Sequence, residues 1–305
     1  MRDFIYKKYH SKALKNEYSL FKCDAYDLLT SMPDKEIFDL VVTSPPYNIG
    51  KEYEKILSMD DYFKIQKKII IEISKRLKTT GSICWQVGNY ISKHDEIIPL
   101  DFGFHEIFKG LGYKLKNRII WTFGHGQHSK KRFSGRYEVI LWYVKSDEYK
   151  WDLDSVRIPQ LYPGKKAYQG PKKGTLSGNP KGKNPEDVWN IPNEDVWNIP
   201  NVKGNHIEKS IHPCQFPVAL VQRLINALTE ENDLIFDPFM GVASTGVASL
   251  LNKRRFIGSD LDATYVSEAS KRLKRTLKGN EKIRGDRPVY DPSKSNLSKK
   301  PKEFK

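Results

Sequence analysis

Phe38-Asp39-Leu40-Val41-Val42-Thr43-Ser44-Pro45-Pro46-Tyr47 is an apolar run that stops at two prolines. A continuous run of this kind reads as a buried strand. Neither proline donates an N–H, so the ladder ends at Ser44. Beyond the ladder comes a stiff turn carrying a hydroxyl, outward carbonyls and an aromatic ring. Those groups suit a planar polar substrate, whose amino hydrogens the oxygens accept while the Tyr47 ring stacks on it. A proline-capped strand end with a surface tyrosine is the plainer reading of these four residues, and the rest of the chain decides between the two.

Downstream of the turn, Ser58 is a candidate N-cap for a helix over 60–77 that presents Phe63, Ile70, Ile73 and Leu77 on one face. A strand over 82–88 comes next. Upstream, residues 18–24 read as a short strand ending in the acid Asp24, then a helical turn over 25–29. Strand, helix and strand joined by short connections predict a parallel α/β sheet. A helix over 102–111 and strands over 117–123 and 137–144 continue the pattern. His125 and His128 lie in the loop between those strands with no carboxylate or cysteine beside them, so no metal site is expected.

A second organised region begins at His212-Pro213-Cys214-Gln215-Phe216 and runs through a helix ending near Leu228. Asp237-Pro238-Phe239-Met240-Gly241 then joins a strand to a helix, and a further strand closes on Asp260, with Asp262 capping a last helix. This is a nucleotide-type βαβ half, whose tight turn admits a ligand to the backbone and whose closing acid can accept ribose hydroxyls. Asp237 in that turn favours a ligand with a positive centre over a pyrophosphate.

The chain has 305 residues and a net charge of +15. Residues 150–185 hold 8 Lys/Arg against 2 Asp/Glu, and residues 271–305 hold 13 against 4, so these two segments carry the whole excess. A near-neutral core with two basic segments points to a polyanion such as nucleic acid. Between 150 and 205 regular periodicity disappears, as expected of a functional insert. Within it the octapeptide 186–193 recurs as 194–201. Identical copies compete for one structural site, and the spacing to His212 predicts that Trp197 is docked and Trp189 exposed. Cys23, Cys84 and Cys214 are widely spaced and read as buried thiols rather than a disulfide framework. No apolar run is long enough to span a membrane, and the first residues lack a signal-peptide core, so a cytoplasmic protein is expected.

The pair of motifs Thr43-Ser44-Pro45-Pro46-Tyr47 and Asp237-Pro238-Phe239-Met240-Gly241, in that order, closely resembles the DNA amino-methyltransferases of the permuted beta group. The resemblance runs from Asp24 to Leu273 outside the insert. It implies a Rossmann-like S-adenosylmethionine methyltransferase sheet in circularly permuted order, with an inserted target-recognition region. The expected division is 1–149 as the catalytic half, 150–205 as the recognition insert, 206–278 as the cofactor half and 279–305 as a basic tail. The resemblance implies catalytic roles for Ser44, Pro45, Pro46 and Tyr47. It implies S-adenosyl-L-methionine contacts for Asp24, His212, Pro213, Phe216, Asp237, Phe239, Gly241 and Asp260. The family usually has glycine where this chain has Ala243.

Serine at the head of the catalytic motif resembles the cytosine-N4 enzymes more than the adenine-N6 enzymes, which form the alternative. A catalytically silent DNA-binding protein on the same fold is a more remote one. RNA or protein methyltransferases usually carry asparagine there, with the cofactor motif first. Double-stranded DNA is the expected substrate and a cognate restriction endonuclease the expected functional partner; nothing in the sequence fixes an oligomeric state.

Overall fold

A computed structural model describes residues 5–11, 16–50, 56–92, 94–123, 128–160, 162, 164–189, 202 and 206–284. Its first half contains β1 (Ile5–Ser11), β2 (Asn16–Lys22), α1 (Ala25–Ser31), β3 (Phe38–Thr43), α2 (Met59–Arg76), β4 (Leu77–Val87), β5 (Asn89–Ile91), β6 (Ile97–Pro99), α3 (Leu100–Gly110), β7 (Lys114–Thr122) and β8 (Tyr137–Val144). Within the insert lies β9 (Val188–Trp189), and after it come α4 (Val218–Leu228), β10 (Leu234–Asp237), α5 (Ser244–Leu251), β11 (Arg255–Asp260) and α6 (Ala263–Leu277).

β3 is buried along its whole length, as a strand covered on both faces must be. Among the described residues it lies inside a nine-stranded sheet of order β1-β2-β11-β10-β3-β4-β8-β7-β9. The run β2, β11, β10, β3, β4 is parallel, while β8 is antiparallel to both β4 and β7. One face buries α1, α2 and α3 against Phe38, Val41, Trp85 and Tyr143. The other buries α4, α5 and α6 against Leu40, Val42 and Ile235. The expected mostly parallel α/β sheet is therefore present, with the late strand β10 hydrogen-bonded to the early strand β3. That pairing sets the carboxyl ends of two strands, nearly two hundred residues apart in sequence, side by side.

Local chemistry fixes the ends of the elements. Ser58 accepts from the Asp61 N–H and Asp262 from those of Thr264 and Tyr265, so both caps are where the sequence puts them. β4 starts immediately after α2 rather than at Ser82. Its Gly81 passes the β3 backbone so closely that a Cβ there would stand 2.9 Å from the Asp39 carbonyl. The β1–β2 hairpin extends the sheet beyond the strands expected from the sequence.

The first copy of the duplicated octapeptide is docked, which corrects the expectation that Trp189 is exposed. Trp189 is only 6% exposed. β9 pairs in parallel with the edge strand β7, the Trp189 carbonyl accepts from Thr122 Oγ1 at 3.1 Å, and the Arg223 guanidinium lies 4.6 Å over its ring. A parallel partner for β7 was not legible from the chain spacing to His212; Trp197 lies outside the described residues. Cys23 is half-buried and Cys84 buried, but Cys214 is exposed, correcting the expectation of three buried thiols. Residues 279–284 are packed, although charge counting places them in the tail: Glu281 pairs with Arg272 and Arg275, and Arg284 N–H donates to Glu208. No helix among the described residues is long and apolar enough to cross a membrane.

Candidate active site

The turn after β3 is held from three sides. Tyr62 Oη, on α2, donates to the Pro46 carbonyl at 2.8 Å. Asn48 takes a left-handed backbone conformation (φ 60°), and its side chain accepts from Leu57 N and donates to Leu57 O at 2.7 and 2.9 Å. The Tyr47 ring lies against Gly88, where a Cβ would come within 3.1 Å of it. Ser44 Oγ stands 2.9 Å from Tyr47 Oη. Tyr47 Oη donates to Glu138 Oε2 at 3.3 Å, and Gln86 Nε2 donates to the same oxygen at 2.6 Å. Burial, reinforced by the Glu138 charge, pushes the Tyr47 phenol well above its ordinary range, so it stays protonated.

The turn after β10 forms the facing wall. Asp237 is 1% exposed and accepts from Thr43 Oγ1 at 2.6 Å, Thr245 Oγ1 at 2.7 Å and Phe239 N at 3.1 Å. It ties the end of β3 to β10 and α5. Burial pushes its carboxyl up to about 6 despite these donors. Gly241 adopts φ 51° and donates its N–H to Asp260 Oδ2 at 3.0 Å. A Cβ at Gly241 would meet the His212 ring at 3.2 Å, so glycine lets that ring close over the turn. His212 Nδ1 accepts from Cys214 N, which places the neutral ring's proton on Nε2. Burial and the nearby Lys209 hold His212 down at about 4, leaving it uncharged at neutral pH. Ala243 carries φ 59° in the αL region ahead of α5, a strained conformation for a residue with a Cβ.

Between the two turns lies a cavity of about 580 Å³. Ser44, Pro45, Pro46, Tyr47, Asp24, His212, Pro213, Phe216, Phe239 and Asp260 line it. Asp237 and Gly241 do not. Asp237 is turned into the sheet by its two threonines, and Gly241 is covered by His212, so both shape the wall from behind. Asp24 combines two jobs, capping α1 through Tyr26 N at 2.8 Å while lining the cavity. Sequence reasoning missed Gln86, Trp121, Glu138, Asp262 and Tyr265 on the same lining. Glu138 had a signal: it is a lone carboxylate opening the otherwise apolar strand β8.

The lining holds the carboxylates of Asp24, Glu138, Asp260 and Asp262 and, among the described residues, no Lys or Arg. Such a cavity repels a phosphate and accepts a cationic ligand together with an uncharged ring. Among the described residues no cluster of His, Cys, Asp and Glu suits a metal ion. Basic character lies elsewhere. Within the insert, Lys150 is used internally by Asp39 and Asp233, Lys181 by Asp154 and Lys183 by Glu186. Lys165, Lys166, Lys172 and Lys173 have no ion-pair partner among the described residues, and exposed Tyr168 lies between them.

Residues 38–271 match a family model described as DNA methylase. The chain is 45% identical over 251 residues to the type II methyltransferase M.BglII of Bacillus subtilis, covering 82% of this chain and 67% of that protein. It is 36% identical over 257 residues to the type II methyltransferase M.ScaI of Streptomyces caespitosus, covering 83% and 80%. Among solved structures it resembles the PvuII DNA methyltransferase, described as cytosine-N4-specific, with a TM-score of 0.67, 22% identity, and coverage of 91% of this chain and 97% of that one.

Proposed function

We infer the reaction of a chain that belongs to the DNA methylase family: transfer of a methyl group from S-adenosyl-L-methionine to the exocyclic amino nitrogen of a base turned out of double-stranded DNA. The observation that carries this reading is the acceptor pair at the end of β3. Ser44 Oγ and the Pro45 carbonyl both belong to cavity-lining residues, and no described group donates to the Pro45 carbonyl.

An exocyclic amino nitrogen is a weak nucleophile because its lone pair is delocalised into the ring. Accepting both amino hydrogens in fixed positions draws the nitrogen toward a pyramidal geometry and localises that pair. Tyr47 stacks on the base, which must leave the duplex to enter so enclosed a site. The cofactor, when bound, supplies an electrophilic methyl on a sulfonium. Asp24, His212, Pro213, Phe216, Phe239 and Asp260 hold it, with Asp260 on the ribose. The acidic lining and the neutral His212 fit that cation.

Serine rather than aspartate at position 44 favours cytosine N4 as the target, with adenine N6 second. Residues 150–205 supply target recognition, and Lys165, Lys166, Lys172 and Lys173 track the phosphates. Given relatives that are type II methyltransferases, the chain acts at one DNA sequence as the protective half of a restriction–modification pair. The test is to incubate the protein with DNA and methyl-labelled cofactor, digest the product and identify the labelled nucleoside. N4-methylcytosine is expected; N6-methyladenine would overturn the base assignment, and no labelled nucleoside would overturn the reaction.

A further inference from the structure

We propose that Glu138 fixes the direction of the Ser44–Tyr47 hydrogen bond, and so makes the pocket select a base that presents an amino group over one that presents an oxygen at the same place. The inference rests on the proposed reaction, in which Ser44 faces the reacting base, and adds a specificity-determining role for a residue outside both motifs.

Proton counting gives the direction. An ionised carboxylate only accepts, so the single proton of Tyr47 Oη is committed to Glu138 Oε2, 3.3 Å away. The bond between Ser44 Oγ and Tyr47 Oη, at 2.9 Å, can then be made only by the serine proton. Gln86 Nε2, 2.6 Å from the same Glu138 oxygen, is a donor as well and adds no proton acceptor that would free Tyr47. With its own proton spent, Ser44 offers the cavity lone pairs alone. The Pro45 carbonyl beside it is also an acceptor. An amino group satisfies both; a carbonyl oxygen brings a third acceptor against them and leaves all three unpaired. A hydroxyl by itself has no such preference, because it rotates to donate or accept. The selectivity is therefore a property of the chain Ser44–Tyr47–Glu138 and not of Ser44.

Replacing Glu138 by glutamine supplies an amide that can donate to Tyr47 Oη. Tyr47 is then free to donate to Ser44, and Ser44 to a base oxygen. Glu138 touches neither base nor cofactor in this scheme; it is a positioning residue.

The experiment uses the full chain with S-adenosylhomocysteine and two duplexes of its recognition sequence. One carries the natural target base and the other its oxo counterpart, uracil for cytosine or hypoxanthine for adenine. Each variant is scored by its preference for amino over oxo relative to wild type, so that differences in the ease of base flipping cancel. Glu138→Gln and Tyr47→Phe should each lower the preference about tenfold, on the scale of one buried unpaired polar group. The double variant should lower it no further, and Glu138→Asp should retain most of it. Thermal midpoints and cofactor affinity near wild type mark the effect as one of proton direction rather than folding. An unchanged preference in Glu138→Gln, or additive effects in the double variant, would overturn the proposal. Should Glu138→Gln not fold, Tyr47→Phe decides alone, and a wild-type preference there would overturn it. A wild-type protein that methylates no DNA overturns the underlying reaction instead.

Discussion

At the scale of single residues, Asp237 shows how a recognised motif and a structural role can coincide. Its carboxyl titrates near 6 in the folded chain against an ordinary 3.8. A raised carboxyl favours the folded state while protonated, so this contribution is complete below about pH 4 and lost as pH rises through 6. A shift of this size corresponds to about 3 kcal/mol. Asp237→Asn keeps one acceptor and adds a donor for Thr43 and Thr245, and should remove that slope: thermal midpoints of wild type should fall relative to the variant between pH 4 and 6. Parallel curves would show that Asp237 does not titrate there. Ser44→Ala removes one amino acceptor and leaves the Pro45 carbonyl, so turnover should fall about 10²- to 10³-fold. Cofactor affinity, read by titration, should barely change. Ten of the lining residues, Ser44 to Tyr47 and Phe239 among them, were legible because they fall in or beside short sequence motifs. The role of Asp237 was not, because it is set by Thr43, 194 positions away, and a sequence gives no sign of which way an acid in a tight turn will point.

Among the elements, the parallel strands and their helices were legible because buried β3, the caps Ser58 and Asp262 and the turn residues are local signals. β1 was not, since Ile5–Ser11 interrupts its apolar residues with Lys7 and Lys8 and owes its strand state to pairing with β2. β9 was misassigned for a related reason: a two-residue strand exists only through β7, Thr122 and Arg223. Deleting residues 186–193 rejoins Pro185 to Glu194, the same dipeptide type found at 185–186. The second copy should then take the docked register. Stability and methylation should stay close to wild type, with circular dichroism melts and labelled-cofactor incorporation as the readouts. Replacing both Trp189 and Trp197 with alanine should instead cost about 3–5 kcal/mol, as for other buried aromatic truncations.

For the molecule as a whole, charge is divided by role, with carboxylates lining the cavity, lysines on the insert that have no ion-pair partner among the described residues, and further basic residues in the sequence after Arg284. Residues 285–305 contain 6 Lys/Arg against 3 Asp/Glu, a net +3. Truncation after Arg284 should leave the melting transition in place and lower the slope of log affinity for DNA against log salt by about 3, if each net charge meets one phosphate. An unchanged slope would exclude the tail from DNA contact. Truncation after Gly279 is a different experiment. It removes Glu281 from Arg272, whose side chain is 1% exposed, and should cost about 3 kcal/mol by stranding a buried cation. The two end points therefore separate binding from stability, because residues 279–284, which the expected division places in the tail, are packed.

The docking of the first octapeptide copy also has an evolutionary side. Tandem copies are gained and lost as units, and whichever unit occupies the edge of β7 presents the same Val-Trp pair to Thr122 and Arg223. Copy number then reaches the fold only as loop length, where each doubling costs about 0.6 kcal/mol. A gene carrying one, two or three copies should yield the same docked strand, so the edge of this sheet can absorb expansion and contraction of the repeat that would shift the pairing of a central strand.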